Sequence, residues 1–353
     1  MFAERMNEIK PFIVMTLLER ALELQRQGKE IIHFEIGEPD FDTPAPILQG
    51  CICELEKGKT HYTHSLGFRE LRQEIADYKY RTRGTKFDVD SQIMVVSGTS
   101  PGFFLIMGAL LNPGDEVIIT DPGYPCYINF IRFFGAIPKF LKIYEEDYFN
   151  IRIEELKQII GPKTKLLILN SPANPTGQII PENTLEEIAE LVSKTNIWVI
   201  SDEIYAELTY NGKIAPSLSD EKYKKCHHRL IVLDGFSKFW AMTGWRLGYL
   251  IAPENLMQEM IKLQQNFLIC APSISQAAGL YALQCEEETQ KMLKIYSKRR
   301  EYIVSRLNSI KGIRCLEPAG AFYAFANIKA LEADSMKFSF ELLEQAGVAA
   351  APG

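Results

Sequence analysis

From residue 90 onward the apolar residues gather into short unbroken runs, at 93–97, 116–120, 166–170, 197–201, 230–233 and 249–252. Runs of this kind, without polar alternation, mark strands buried on both faces, as in a mostly parallel sheet covered by helices. Helical patterns fall between them. The clearest spans 181–192, where Pro181 and early acidic residues mark the start, and another spans 103–111. Ahead of the sheet, residues 4–27 read as a helix with Phe12, Met15, Leu18 and Leu22 near helical spacing and Gly28 as the stop. A short β-like run at 31–36 follows, then a loop at 37–44 too rich in Gly, Pro and Asp for a helix. Residues 44–56 and 67–83 read as helices. Beyond Pro253 the pattern changes to long helices at 256–267 and 273–307, then to a smaller α+β unit with a last helix at 339–345. The expected architecture is α/β: a large domain over 45–270, and a smaller α+β domain made of 1–44 with 271–353.

At 353 residues the chain has room for two compact units. A net charge of −6 with no dense basic cluster argues against a nucleic-acid surface; the tract 221–229 is the most basic and reads as a solvated loop. Seven scattered cysteines without metal-ligand spacing suggest free thiols in a reducing, cytoplasmic setting, and no metal site is expected. The apolar run at 11–18 is too short to span a bilayer. Five histidines in no catalytic grouping speak against a histidine-centred hydrolase.

In open α/β sheets, ligands sit beyond the carboxyl ends of the strands, and the strand ends here carry chemistry. The first ends in Ser97-Gly98-Thr99-Ser100, small residues opening a helix, which suits an anion. Another ends in Asn170 and continues through Asn174-Pro175-Thr176-Gly177. A third ends in Asp202, followed by Glu203 and Tyr205. Leu233 closes a fourth, and Lys238 follows among aromatics and small residues, where desolvation lowers an amine's pKa and makes it a nucleophile toward carbonyls. Arg246, eight positions on, offers a fork for phosphate. Taken singly, each is an ordinary loop or capping residue. Together, a lysine, an aspartate and a phosphate cup suit pyridoxal 5'-phosphate.

Six motifs in this order carry a resemblance: Gly37-Glu38-Pro39-Asp40, the Tyr62-Thr63 pair with Gly67, Asn174-Pro175-Thr176-Gly177, Ser201-Asp202-Glu203 with Tyr205, Ser237-Lys238, and Met242-Thr243-Gly244-Trp245-Arg246 with Gly248. The chain resembles class I aminotransferases of the fold type I pyridoxal-phosphate family over nearly its whole length. The resemblance implies a ping-pong amino-acid aminotransferase passing an amino group to a 2-oxo acid. It implies Lys238 as the Schiff-base lysine and proton carrier, and Asp202 as partner of the ring nitrogen. Tyr205 and Asn174 would bind the ring's phenolic oxygen, and Tyr124 would stack on the ring. Thr99, Ser100, Ser237 and Arg246 would hold the phosphate. Tyr62 would reach the phosphate of a neighbouring subunit, implying a homodimer, and Gly37 would bring its backbone to the substrate carboxylate.

Two departures stand out. Gly235 replaces a serine that many members use for the phosphate, and the chain stops at Gly353, ahead of the family's carboxylate-gripping arginine, so a fragment of a longer protein is expected. β-Elimination, C–S lyase and cyclopropane-forming synthase reactions would use the same ring-binding residues. A non-catalytic, ligand-sensing aminotransferase-like domain fits less well, since Lys238 and Asp202 are retained and no basic helix-turn-helix is visible. The donor amino acid stays open.

Overall fold

The computed structural model describes residues 2–353. A 3-10 turn at Glu4–Asn7 precedes α1 (Ile13–Arg26). The single helix expected over 4–27 is interrupted at Pro11, which disfavours helical geometry in the residue before it. The buried stripe of α1 is Leu17, Ala21 and Leu24. Met15 and Leu22, expected on the inner face, stay exposed. Strand β1 (Ile32–His33) is two residues long, and α2 (Ala45–Glu56) and α3 (Arg69–Arg83) follow. Gly84, in the left-handed region at φ 73°, closes α3 by donating to the Tyr80 carbonyl.

The central part runs β2 (Ile93–Val96), α4 (Thr99–Leu110), β3 (Glu116–Asp121), α5 (Cys126–Phe133), β4 (Ile137–Lys142), α6 (Ile153–Ile159), β5 (Thr164–Asn170), α7 (Glu182–Ser193), β6 (Trp198–Asp202), β7 (Leu230–Gly235) and β8 (Gly248–Ile251). These strands form one seven-stranded sheet in the order β2-β8-β7-β6-β5-β3-β4. Every pairing is parallel except the two made by β8. Both faces are buried: Ile93 and Val95 point into one core, Met94 and Val96 into the other. This double burial explains the unbroken apolar runs. The sequence pattern missed β4, an edge strand carrying Pro138 whose side chains are mostly half-exposed or exposed. Edge strands tolerate both features.

The remaining elements are α8 (Glu254–Leu263), a π-turn at Gln264–Leu268, α9 (Ser273–Ala282), α10 (Glu286–Asn308), β9 (Arg314–Cys315), β10 (Ala326–Asn327), α11 (Ser335–Ala346) and β11 (Val348–Ala349). The long helix expected over 273–307 is thus two helices. α11 begins earlier than expected because Asp334 caps it, its carboxylate accepting the Lys337 N–H. β1 pairs in parallel with β11, and Leu17, Ala21, Leu24 and Ile31 pack with Leu343 and Ala349. The two ends of the chain therefore share one small core. No helix among the described residues is long and apolar enough to cross a membrane.

Candidate active site

Six strands leave the sheet on one side, and the antiparallel β8 enters there, so the exits of β2, β3, β4, β5, β6 and β7 and the entry to β8 meet along one edge. The residues predicted for the site, Tyr62 excepted, lie on that edge or beside it.

Asp202, the last residue of β6, is 5 % exposed. Its Oδ2 accepts the Tyr127 hydroxyl at 2.5 Å and its Oδ1 the Ile204 N–H at 3.3 Å. Among the described residues no basic side chain pairs with it. Burial raises its pKa to about 7, against the lowering effect of the Tyr127 hydrogen bond. Tyr127 was not anticipated from sequence. It lies on α5 three positions after Tyr124, and the two rings meet edge-on at 5.2 Å. Two tyrosines at helical spacing just beyond a strand end were the available signal.

Lys238 follows β7 by three residues. Its Nζ donates to the Gly37 carbonyl at 2.5 Å, which ties the β7 exit to the Gly37-Glu38-Pro39-Asp40 loop. The amine lies 5.9 Å from the centre of the Phe322 ring. Burial lowers its pKa to about 8, helped by the positive charge of Arg246 and opposed by Glu38 and Asp202. About one Lys238 in ten is then neutral at pH 7, against fewer than one in a thousand for a solvated lysine.

Asn174 and Tyr205 come together through a residue that sequence reasoning missed. The Tyr323 Oη lies 2.5 Å from the Tyr205 Oη and accepts the Asn174 Nδ2–H at 3.1 Å. The Asn174 loop is fixed in turn by its own N–H, which donates to Asn170 Oδ1 at 2.7 Å. Tyr323 also crowds Gly37: a Cβ there would lie 2.5 Å from the Tyr323 Oη. Only a glycine lets the loop pass this close.

At the start of α4, Gly98 has φ 95°, and a Cβ on it would sit 2.6 Å from Arg246 Nη2. The guanidinium thus lies against the helix start, beside Thr99 and Ser100. No side chain caps α4, so its first N–H groups remain open to an anion. Ser237 is buried nearby, next to Lys238. Gly235 and Gly248 are paired across β7 and β8. A Cβ on Gly235 would meet Leu247 O at 3.1 Å and Gly248 Cα at 3.2 Å, so a serine there would need the neighbouring strand to give by a few tenths of an ångström. Tyr62 stands apart: it is 82 % exposed and, among the described residues, makes no hydrogen bond to the rest of the set.

A family model described as "Aminotransferase class I and II" matches residues 29–353. The chain is 40% identical to a (5-formylfuran-3-yl)methyl phosphate transaminase of Methanocaldococcus jannaschii, covering 100% of this chain and 90% of that one. It is 35% identical to aromatic-amino-acid aminotransferase 2 of Thermococcus litoralis, over 99% of this chain and 89% of that one. Among solved structures, the aspartate aminotransferase of Thermus thermophilus with maleate superposes with a TM-score of 0.93 at 31% identity, over 100% of this chain and 91% of that one. With this family match and these identities over nearly its whole length, the chain belongs to the aminotransferase class I and II family and is an amino-acid aminotransferase.

Proposed function

We propose that this strand-edge site holds pyridoxal 5'-phosphate and uses it to move an amino group from an amino acid to a 2-oxo acid in two half-reactions. The observation that carries the reading is the pairing, at one edge, of a buried lysine whose pKa is lowered to about 8 with a buried aspartate that, among the described residues, makes no ion pair. The remaining donors fit the same group. Arg246 and the uncapped start of α4 match a phosphate, and Gly98 leaves the room that lets the guanidinium lie against that helix start.

When bound, pyridoxal 5'-phosphate supplies a carbonyl carbon for amines and a cationic ring that withdraws electrons from the amino acid's Cα. Lys238 Nζ is the base that takes the Cα proton, and its depressed pKa leaves a usable neutral fraction at pH 7. Asp202 faces the ring nitrogen and holds a proton on it; a buried anion and cation that meet there satisfy each other. Tyr205 and Asn174 donate to the ring's phenolic oxygen, and Tyr124 packs on the ring face. Thr99, Ser100, Ser237 and Arg246 hold the phosphate. Gly37 presents backbone to the substrate carboxylate, next to Lys238.

Tyr62, exposed here, completes the phosphate site of a second copy, which makes the working form a homodimer. All seven cysteines are free, which supports a cytoplasmic setting. Aspartate and aromatic amino acids are the first donors to try, since relatives bear those names.

Mixing loaded protein with each donor, and following the visible absorbance of the cofactor, tests the reading. Conversion by at least one donor, reversed by a 2-oxo acid, is expected. Lys238→Ala is expected to lower proton transfer by about 10²–10⁴. Lys238 should also be the residue that carries the cofactor after borohydride reduction and peptide mapping. Normal turnover by Lys238→Ala sinks the assignment.

A further inference from the structure

Behind the Asp202 carboxylate lies a buried charged cluster that the reaction described above does not use. Lys79, on α3, is fully buried. Its Nζ lies 2.9 Å from Glu203 Oε2 and 2.8 Å from Asp234 Oδ2. Glu203 is the residue after Asp202, and Asp234 lies on β7 four residues before Lys238. One ammonium therefore bridges the strand end that carries Asp202 and the strand that leads to Lys238. The two are already in register, with Asp202 opposite Leu233 and the Glu203 N–H donating to the Leu233 carbonyl at 2.8 Å.

The rest of the cluster leaves Lys79 no substitute. Arg83 also reaches Glu203, at 3.3 Å, but it is shared with Asp220. Asp234 receives the Tyr249 hydroxyl at 2.7 Å and its own neighbour's N–H, from Gly235, also at 2.7 Å. Glu203 Oε1 is occupied by Ser201, Ser217 and Ser219 hydroxyls. Glu207, bonded to Tyr78 at 2.7 Å, adds a fourth carboxyl group. Two cations thus stand against four carboxyl groups. Lys79 is the cation that touches both Glu203 and Asp234.

We propose that Lys79 is a positioning residue for amino transfer: it pairs with Glu203 and Asp234, so that Asp202 meets the ring nitrogen near charge-paired carboxylates rather than near an Asp234 left bare. This rests on the reading that Asp202 faces the ring nitrogen of pyridoxal 5'-phosphate. Like charges at short range in a dry interior favour the protonated form of a carboxyl group. Asp202 is already raised to about 7, chiefly by burial, and the charges of Asp234 and Glu203 push it in the same direction. Removing the Lys79 ammonium leaves Asp234 without an ion pair and Glu203 with only the Arg83 it shares with Asp220, so their push grows. A protonated Asp202 cannot hold a proton on the ring nitrogen.

The test compares wild type, Lys79→Met and the charge-balanced double variant Lys79→Met with Asp234→Asn, each as full-length protein loaded with pyridoxal 5'-phosphate labelled with ¹⁵N in its ring. Thermal melts confirm folding. Wild type is expected to show the ¹⁵N shift of a protonated ring nitrogen. Lys79→Met should move that shift toward the unprotonated value and weaken cofactor binding at least tenfold at neutral pH. The double variant should recover both. A folded Lys79→Met with wild-type shift and affinity overturns the role of Lys79 while leaving the Asp202 reading intact. A folded double variant whose ring nitrogen stays unprotonated overturns it too, and does so even if Lys79→Met alone fails to fold. An unprotonated ring nitrogen in wild type overturns the Asp202 reading itself.

Discussion

The phenol oxygens of Tyr205 and Tyr323 lie 2.5 Å apart, although the residues are 118 positions apart in sequence. Burial raises the pKa of both phenols, Tyr323 to about 12, so both keep their protons at neutral pH. Tyr323 also receives Asn174, so its oxygen is bonded to both Tyr205 and Asn174, the two side chains assigned to the ring's phenolic oxygen. Cofactor and Tyr323 thus compete for the same pair. Tyr323→Phe should destabilise the cofactor-free protein by about 1 kcal/mol, since Tyr205 and Asn174 both lose a hydrogen-bond partner. The loss should shrink on loading, and apparent cofactor affinity should rise roughly fivefold. Melting with and without pyridoxal 5'-phosphate measures both. An equal loss in the two states would contradict the competition.

The fit of Arg246 against Gly98 gives a second prediction. Gly98→Ala places a Cβ on the guanidinium and forces an alanine to φ near 95°. Affinity for pyridoxal 5'-phosphate should fall at least tenfold, while affinity for pyridoxal, which lacks the phosphate, should change far less. Titrating the cofactor-free variant with each compound separates the two.

Asp202 supplies a pH dependence with a definite sign. Its folded pKa, about 7, lies above the unfolded value of 3.8. Between those values the folded state holds a proton that the unfolded chain has released, so this group's contribution to stability falls as pH rises from about 4 to 7. Asp202→Asn never has to ionise. The cofactor-free variant should therefore melt higher than wild type at pH 8, with the gap narrowing at pH 5. The same variant should bind the cofactor more weakly and turn over more slowly.

Gly235 gives the fourth test. A serine would press its Cβ against Leu247 O and Gly248 Cα, backbone atoms of the paired strand. Gly235→Ser should cost about 1–3 kcal/mol of stability, as over-packing does. Cofactor affinity should not improve. A tighter, equally stable variant would show that the site has room for the hydroxyl after all.

Much of this site was legible because buried parallel strands and their loops leave plain marks. Six of seven sheet strands show as apolar runs, and Asp202, Asn174, Lys238 and the Thr99 helix start follow directly from strand ends. What escaped the sequence depends on distance or on edges. β4 lacks an apolar run because one side of it has no neighbour. Tyr323 lies in the stretch between β9 and β10, and nothing local marks it as facing Asn174. Lys79 is one charge on a helix already rich in charge; only the packing of α3 against the β6 and β7 ends makes it a buried bridge. The turn between α9 and α10 has no proline or glycine to announce it.

The antiparallel course of β8 has one more consequence, for how such an enzyme can change. Because β7 and β8 are neighbours joined by a short return, Lys238, Ser237 and Arg246 come from a single contiguous segment of the chain. On the proposed reading, the backbone that meets the substrate carboxylate comes instead from Gly37, 201 positions before Lys238. The cofactor lysine and two of its phosphate partners would thus be inherited as one block, joined by Thr99 and Ser100 from α4. Changes around Gly37 would leave the sequence of that block untouched.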